Sequence, residues 1–217
     1  YALYGPISRR RKNRPTDDLP PWYRGLVDAI NARPMRFNVA PVDVMPIVGT
    51  SREGEITIRE LRWGLVPYWA KDVKIGYKAI NARAETVDEK PMFREAFKRR
   101  RCLVPASGYF EWKAEGSAKQ PYFIHDADGE LLMFAGLWES WRDTKESDPL
   151  YTYTIVTGPP GLVSGDIHDR APVILGESAW ASWLSGEPAD ALDILKAAPE
   201  TRLTYHPVPT AVGSPKK

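Results

Sequence analysis

The chain has 217 residues, 43% of them hydrophobic and 27% charged, the composition of a globular protein that buries a sizeable core in one domain spanning residues 1–217. Its formal net charge of +2 excludes a strong global field drawing it onto a polyanion, so any nucleic-acid role rests on a local patch. Cys102 is the one cysteine, which excludes a disulfide framework and a cysteine-based metal site, and no apolar run approaches the roughly 20 residues of a membrane helix.

The first basic run is Arg9, Arg10, Arg11, Lys12 and Arg14. Pro20 and Pro21 then precede Trp22 to Ala32, where Trp22, Leu26, Val27 and Ile30 recur at helical spacing and predict a helix. Short strand-like runs follow over 36–39, 42–48 and 55–66. In the last, Ile56 and Ile58 alternate in one phase and Leu61, Trp63 and Leu65 in the other, which predicts a bulge near Arg59 and Glu60. A strand is expected over 78–87, a short helix over 91–99, and a strand over 101–113 interrupted at Gly108. Asp128-Gly129 lies between apolar runs at 120–125 and 130–138 and reads as the turn of a hairpin. A strand over 150–157, helices over 177–184 and 188–198, and a strand over 203–208 complete the pattern. Many short strands without regular helix alternation indicate an α+β fold, β-rich, with a strongly bent antiparallel sheet or barrel-like core and peripheral helices.

Asn81, Arg83 and Glu85 fall two apart in a predicted strand and are expected to share a face, either lining a polar cleft or forming a solvent-facing ion pair. Glu111 stands among Tyr109, Phe110 and Trp112; apolar surroundings disfavour its charged form and suit it to proton exchange near neutrality. His168, flanked by Asp169 and Arg170 in a predicted loop, is the histidine best placed for proton transfer, whereas His125 and His206 fall in strands. Three scattered histidines lack metal-ligand spacing, so neither metal nor cofactor is expected. Eight tryptophans are many for this length, and Trp69 and Trp112 are the ones expected to stack on bases. The second basic run, Lys98, Arg99, Arg100 and Arg101, reads first as a solvated face, and Cys102 beside it as a buried packing residue.

Taken in order, Asn38-Val39-Ala40-Pro41, Trp63-Gly64-Leu65-Val66-Pro67, Asn81-Ala82-Arg83-Ala84-Glu85, Gly108-Tyr109-Phe110-Glu111-Trp112 and Ile167-His168-Asp169-Arg170 resemble the SRAP family, named for SOS-response-associated peptidases, over nearly the whole chain. The resemblance implies a β-rich fold around a groove for single-stranded DNA and covalent capture of abasic sites through an N-terminal cysteine, in a DNA damage response. It implies catalytic roles for Asn81, Glu111 and His168, phosphate contacts for Arg83 and Arg170, and a DNA path past Asn38, Pro41, Trp69, Trp112 and Thr157. Family chains begin Met-Cys-Gly-Arg followed by an aromatic, and this sequence begins at the aromatic, Tyr1. The expectation is that those four residues precede Tyr1, that Tyr1 lies beside the cleft, and that a chain without them does not crosslink. The alternatives are a non-catalytic single-stranded DNA binding module and a cysteine peptidase that also processes its own N-terminus. The expected protein is a cytoplasmic monomer.

Overall fold

A computed structural model describes residues 2–4, 19–34, 36–51, 53–197 and 202–213, and its strands sort into two curved sheets. The first half of the chain supplies β1 (Ala2–Tyr4), α1 (Pro21–Asn31), β2 (Arg36–Val39), β3 (Val44–Thr50), β4 (Ile56–Trp63), a 3₁₀ segment (Val73–Lys78), β5 (Asn81–Arg83), α2 (Arg94–Arg99) and β6 (Arg101–Ala106). There follow β7 (Gly108–Glu115), β8 (Ala118–Asp126), β9 (Leu132–Trp141), β10 (Leu150–Gly158), α3 (Leu162–Gly165), β11 (Ala171–Pro172), α4 (Glu177–Ser185), α5 (Pro188–Ala197) and β12 (Leu203–Pro207).

Strands β10, β4, β3, β6 and β9 pair in that order, and β9 pairs back onto β10 and closes a barrel. Closure removes the exposed edges that an open sheet presents for aggregation. The second sheet runs β12-β8-β7-β1-β2, and its Tyr109, Ile124 and Leu203 join the barrel's side chains in one buried core. The α+β, barrel-like architecture read from the sequence is therefore correct, with one refinement. Pairing is not wholly antiparallel, because β4 and then β5 lie parallel to β10.

Helix α1 starts with Pro21 at its first position, where a missing N–H costs nothing, and buries Tyr23, Leu26, Val27 and Ile30 along one stripe. Strand β4 has no bulge: its register with β3 is unbroken from Val44↔Arg62 to Thr50↔Ile56. The change of apolar phase has another cause. Leu61 and Trp63 are buried on one face, while Ile58, on the other, packs partly against the core beside α1, where a Cβ on Gly25 would lie 3.5 Å from its side chain.

The strand expected over 78–87 shrinks to Asn81–Arg83, flanked by 3₁₀ turns, because β5 only takes over the part of β10 that β4 leaves unpaired. The hairpin expected at Asp128-Gly129 does not form either. The turn is real, with Gly129 at φ +76 and the Asp126 carboxylate accepting the backbone N–H groups of Asp128 (2.9 Å) and Glu130 (3.1 Å). It nevertheless sends the chain from one sheet to the other: β8 stays with β7 and β12, and β9 enters the barrel between β6 and β10. The reason lies in burial, since β9 is buried at nearly every position and suits a strand covered on both faces, whereas β8 alternates. The hairpin forms at Gly116-Ser117 instead, where Glu115 pairs with Ala118 and Gly116 takes φ +61.

Candidate functional site

Parallel pairing of β5 on the end of β10 sets the geometry of one wall. Ala82 is buried against the barrel, so Asn81 and Arg83, one residue to either side, project together to the surface. Glu85 falls outside the strand, in the following 3₁₀ turn, and reaches Arg170 rather than the cleft. The opposite wall is β7, where Tyr109 and Glu111 share a face. Tyr109 packs edge-on against Phe134, with ring centroids 5.8 Å apart. Gly108 is required at the start of that strand, since a Cβ would stand 2.5 Å from the Ile124 carbonyl oxygen. The loop from α3 to β11 supplies the third wall and carries His168.

These walls enclose a cleft of about 330 Å³ with Asn81, Arg83, Glu111, Thr157, His168 and Arg170 as its polar lining. Trp63, Phe134 and Ile155 line its apolar part. Three polar residues up to 87 positions apart in sequence, Asn81, Glu111 and His168, are thus brought to one place. Burial pushes the Glu111 carboxyl above its ordinary value, and the nearby His168 opposes the rise. His168 Nδ1 lies 3.1 Å from the backbone N–H of Arg170 and 3.1 Å from the Asp169 carboxylate. The Asp169 side chain is 89% exposed and water-screened, whereas the backbone donor is fixed. The Arg170 carbonyl oxygen also lies 3.3 Å from Nδ1, so this nitrogen meets one backbone donor and two acceptors, and which of them it serves is set by the ring's tautomer and charge.

Arg170 is held by the protein itself. Its guanidinium pairs with Glu85 at both ends and donates to the Thr157 carbonyl at 2.7 Å. The arginine in turn holds the Glu85 carboxyl below its ordinary value. Arg83 is exposed at the cleft and its charge is also felt at Glu85.

The remaining sequence candidates lie outside this lining. Trp69 is 46% exposed on the segment between β4 and β5, and Pro41 sits in the turn between β2 and β3. Asn38 donates from Nδ2 to the Val212 carbonyl at 2.6 Å, and a Cβ on Gly213 would lie 3.7 Å from the Trp112 ring, so the last described residues run past both. The first basic run and Tyr1 lie outside the described residues. The second run is not a solvated face throughout. Arg101 is 3% exposed and donates to the carbonyls of Phe97, Lys98, Trp183 and Gly186, and Arg100 pairs with Glu139. Cys102 is fully buried, and burial pushes its thiol up. His125 and His206 pack together on the second sheet, 5.3 Å apart, away from the cleft lining. Among the described residues no group of three or more His, Cys, Asp or Glu is placed to hold a metal ion. Sequence reasoning missed Trp63 and Phe134 as lining residues; Trp63 lay in a quoted motif, and Phe134 carried no local signal.

Comparison with known proteins gives a consistent picture. Residues 10–215 match the family described as SOS response associated peptidase (SRAP). The chain is 42% identical over 185 residues to the abasic site processing protein YoqW of Bacillus subtilis (strain 168), covering 83% of this chain and 81% of that one. It is 32% identical over 225 residues to the abasic site processing protein HMCES of Xenopus tropicalis, covering 90% of this chain and 66% of that one. A crystal structure of a protein from Bacteroides thetaiotaomicron superposes with a TM-score of 0.70 at 29% identity, over 78% of this chain and 75% of that one.

Proposed function

From the chain's membership of the SOS response associated peptidase family, to which it belongs, we propose that it binds single-stranded DNA in the cleft and captures abasic sites covalently in a DNA damage response. The observation that carries this reading is the convergence of Asn81, Glu111 and His168 on one cleft. Ala2 adds support: it pairs antiparallel with Tyr109, and that register directs the chain preceding it along β7 toward Glu111. Ala2 pairs with a residue of the cleft lining, and four extended residues reach about 14 Å, so a cysteine four positions before Ala2 would reach Glu111 under this reading.

The chemistry follows from the proton inventory. The abasic sugar must open to its aldehyde: as the C1′–O4′ bond breaks, the Glu111 carboxylate takes the C1′ hydroxyl proton and the imidazolium form of His168 gives one to the departing O4′, after which the proton on Glu111 passes back to His168 and restores both groups. Glu111, more basic than an ordinary carboxylate, takes the proton from the cysteine's attacking α-amine. Amine addition and loss of water give an imine; the thiol sulfur then bonds to the imine carbon and its proton passes to nitrogen, closing a thiazolidine. Asn81 orients the reacting sugar, Arg83 contacts phosphate, and Arg170, with Thr157, fixes the His168 loop and closes the phosphate side. Asn38, Pro41, Trp69 and Trp112 line the approaching strand.

The test is a denaturing gel with abasic-site oligonucleotide. Protein carrying Met-Cys-Gly-Arg before Tyr1 is expected to form a denaturation-resistant adduct, and the chain beginning at Tyr1 to bind reversibly. A stable adduct from the latter overturns the N-terminal cysteine mechanism. Peptide cleavage without any adduct favours a peptidase.

A further inference from the structure

The segment between β4 and β5 begins after Trp63 and ends before Asn81, both cleft residues, and it is pinned along its length. Leu65 donates its backbone N–H to Ala79 (3.1 Å), and Gly64 and Gly76 cross so closely that a Cβ on Gly76 would stand 2.7 Å from the Gly64 carbonyl oxygen. Trp141 donates from Nε1 to the Ala70 carbonyl at 2.7 Å, and the Tyr68 backbone N–H bonds to the buried Glu139 carboxylate. Such a segment does not hide its aromatics by collapse. Tyr68 is 60% exposed and Tyr77 58%.

Tyr77 belongs to the 3₁₀ segment Val73–Lys78, whose start is capped by Asp72 accepting the Lys74 N–H at 2.9 Å. Three residues per turn eclipse positions i and i+3. Val73 and Gly76 therefore form the inner ridge, with Gly76 buried, and Lys74 and Tyr77 form an exposed one. The Arg62 guanidinium stands over the Tyr77 ring, 6.0 Å from its centroid. One ring face is thus backed by a cation and the ring remains open to solvent.

We propose that this ridge is a second subsite for the nucleic-acid strand entering the cleft, with a base stacked on Tyr77 and a phosphate at Lys74. The inference rests on the DNA-binding reading and extends it along the strand. Charge selects the partner. Residues 62–78 carry Arg62, Lys71, Lys74 and Lys78 against Asp72 alone, a local net charge of +3 (4 minus 1) in a chain whose total is +2. Stacking on an aromatic together with phosphate neutralisation is the pairing by which proteins hold single strands without regard to sequence. Tyr77 is four residues from Asn81, at most about 14 Å of chain, so one strand spans both.

Fluorescence anisotropy with two oligothymidines tests this, one filling only the cleft and one several nucleotides longer. Tyr77→Ala is expected to weaken the longer by about tenfold and leave the shorter unchanged. Lys74→Gln is expected to reduce the salt slope on the longer by about 0.7. Unaltered binding of the longer oligonucleotide by both variants, or equal losses on both lengths, overturns the subsite and points to a protein partner for this ridge. Failure of the unsubstituted chain to bind either oligonucleotide overturns the DNA-binding reading, and the subsite with it.

Discussion

Glu111 on the second sheet and Glu139 on the barrel are both carboxyls that burial pushes above the ordinary range, yet their surroundings differ in kind. Glu139 is 3% exposed and committed: Arg100 donates to it at 3.0 Å, the Ser140 backbone N–H at 3.2 Å, and the Tyr68 N–H ties the β4–β5 segment to it. Glu111 is half-buried in an open cleft, and the group opposing its shift is the His168 imidazole across that cleft. Burial raises both carboxyls, but only Glu111 faces a histidine and an open cleft, and the proposed mechanism gives the proton transfer to it. The other is a fastening.

Exchanging each acid for its amide breaks the comparison in opposite ways. Glu111→Gln, in protein with the cysteine in place, is expected to slow single-turnover adduct formation by about 10²–10⁴. An unchanged rate removes Glu111 from the chemistry. Glu139→Gln is expected to leave the rate of folded protein unchanged and to cost about 3 kcal/mol in urea unfolding, because it strands the Arg100 charge against a largely buried wall.

Proton linkage sharpens the same contrast. A carboxyl whose folded value is raised contributes stability that is full below its unfolded value, near 4.5, and lost as pH climbs through the folded value. Glu111→Gln abolishes that loss, so unfolding midpoints at pH 4 and pH 7 should show the variant gaining on the unsubstituted protein as pH rises. A variant that loses ground to the unsubstituted protein as pH rises contradicts the direction of the Glu111 shift. Smaller effects separate the two cleft arginines. Arg83→Ala is expected to lower the salt slope of single-strand binding by about 0.7. Glu85→Gln breaks a pair whose carboxylate side chain is 46% exposed and should cost at most about 1 kcal/mol in thermal unfolding, since water screens it.

Local pattern carried much of this protein into view. Helix α1 was legible because its buried residues repeat at 3.6 and prolines mark its start, and β7 because Gly108 punctuates it. The polar residues of the cleft were legible as oddities: a carboxylate among aromatics at Glu111, and an amide and a guanidinium two apart at Asn81 and Arg83. Where periodicity was ambiguous the reading failed, as in β4, whose two apolar phases serve the barrel and α1 in turn and need no bulge.

The sequence by itself determined most element types and the burial of Cys102, because each depends on neighbours within a few positions, and it marked Asn81, Arg83, Glu111 and His168 as polar residues out of keeping with their segments. Tertiary structure alone decided the partners. It closed β9 onto β10, set β5 parallel to β10 so that Asn81 and Arg83 face Glu111 across the cleft, and moved the hairpin from Asp128-Gly129 to Gly116-Ser117. It also turned Arg101 inward to four backbone carbonyls and engaged Arg170 with Glu85. The physical reason is common to all of these. A strand's hydrogen-bonding groups and a charged side chain's need for a counter-group are satisfied by whatever the fold brings near, and sequence distance does not encode that.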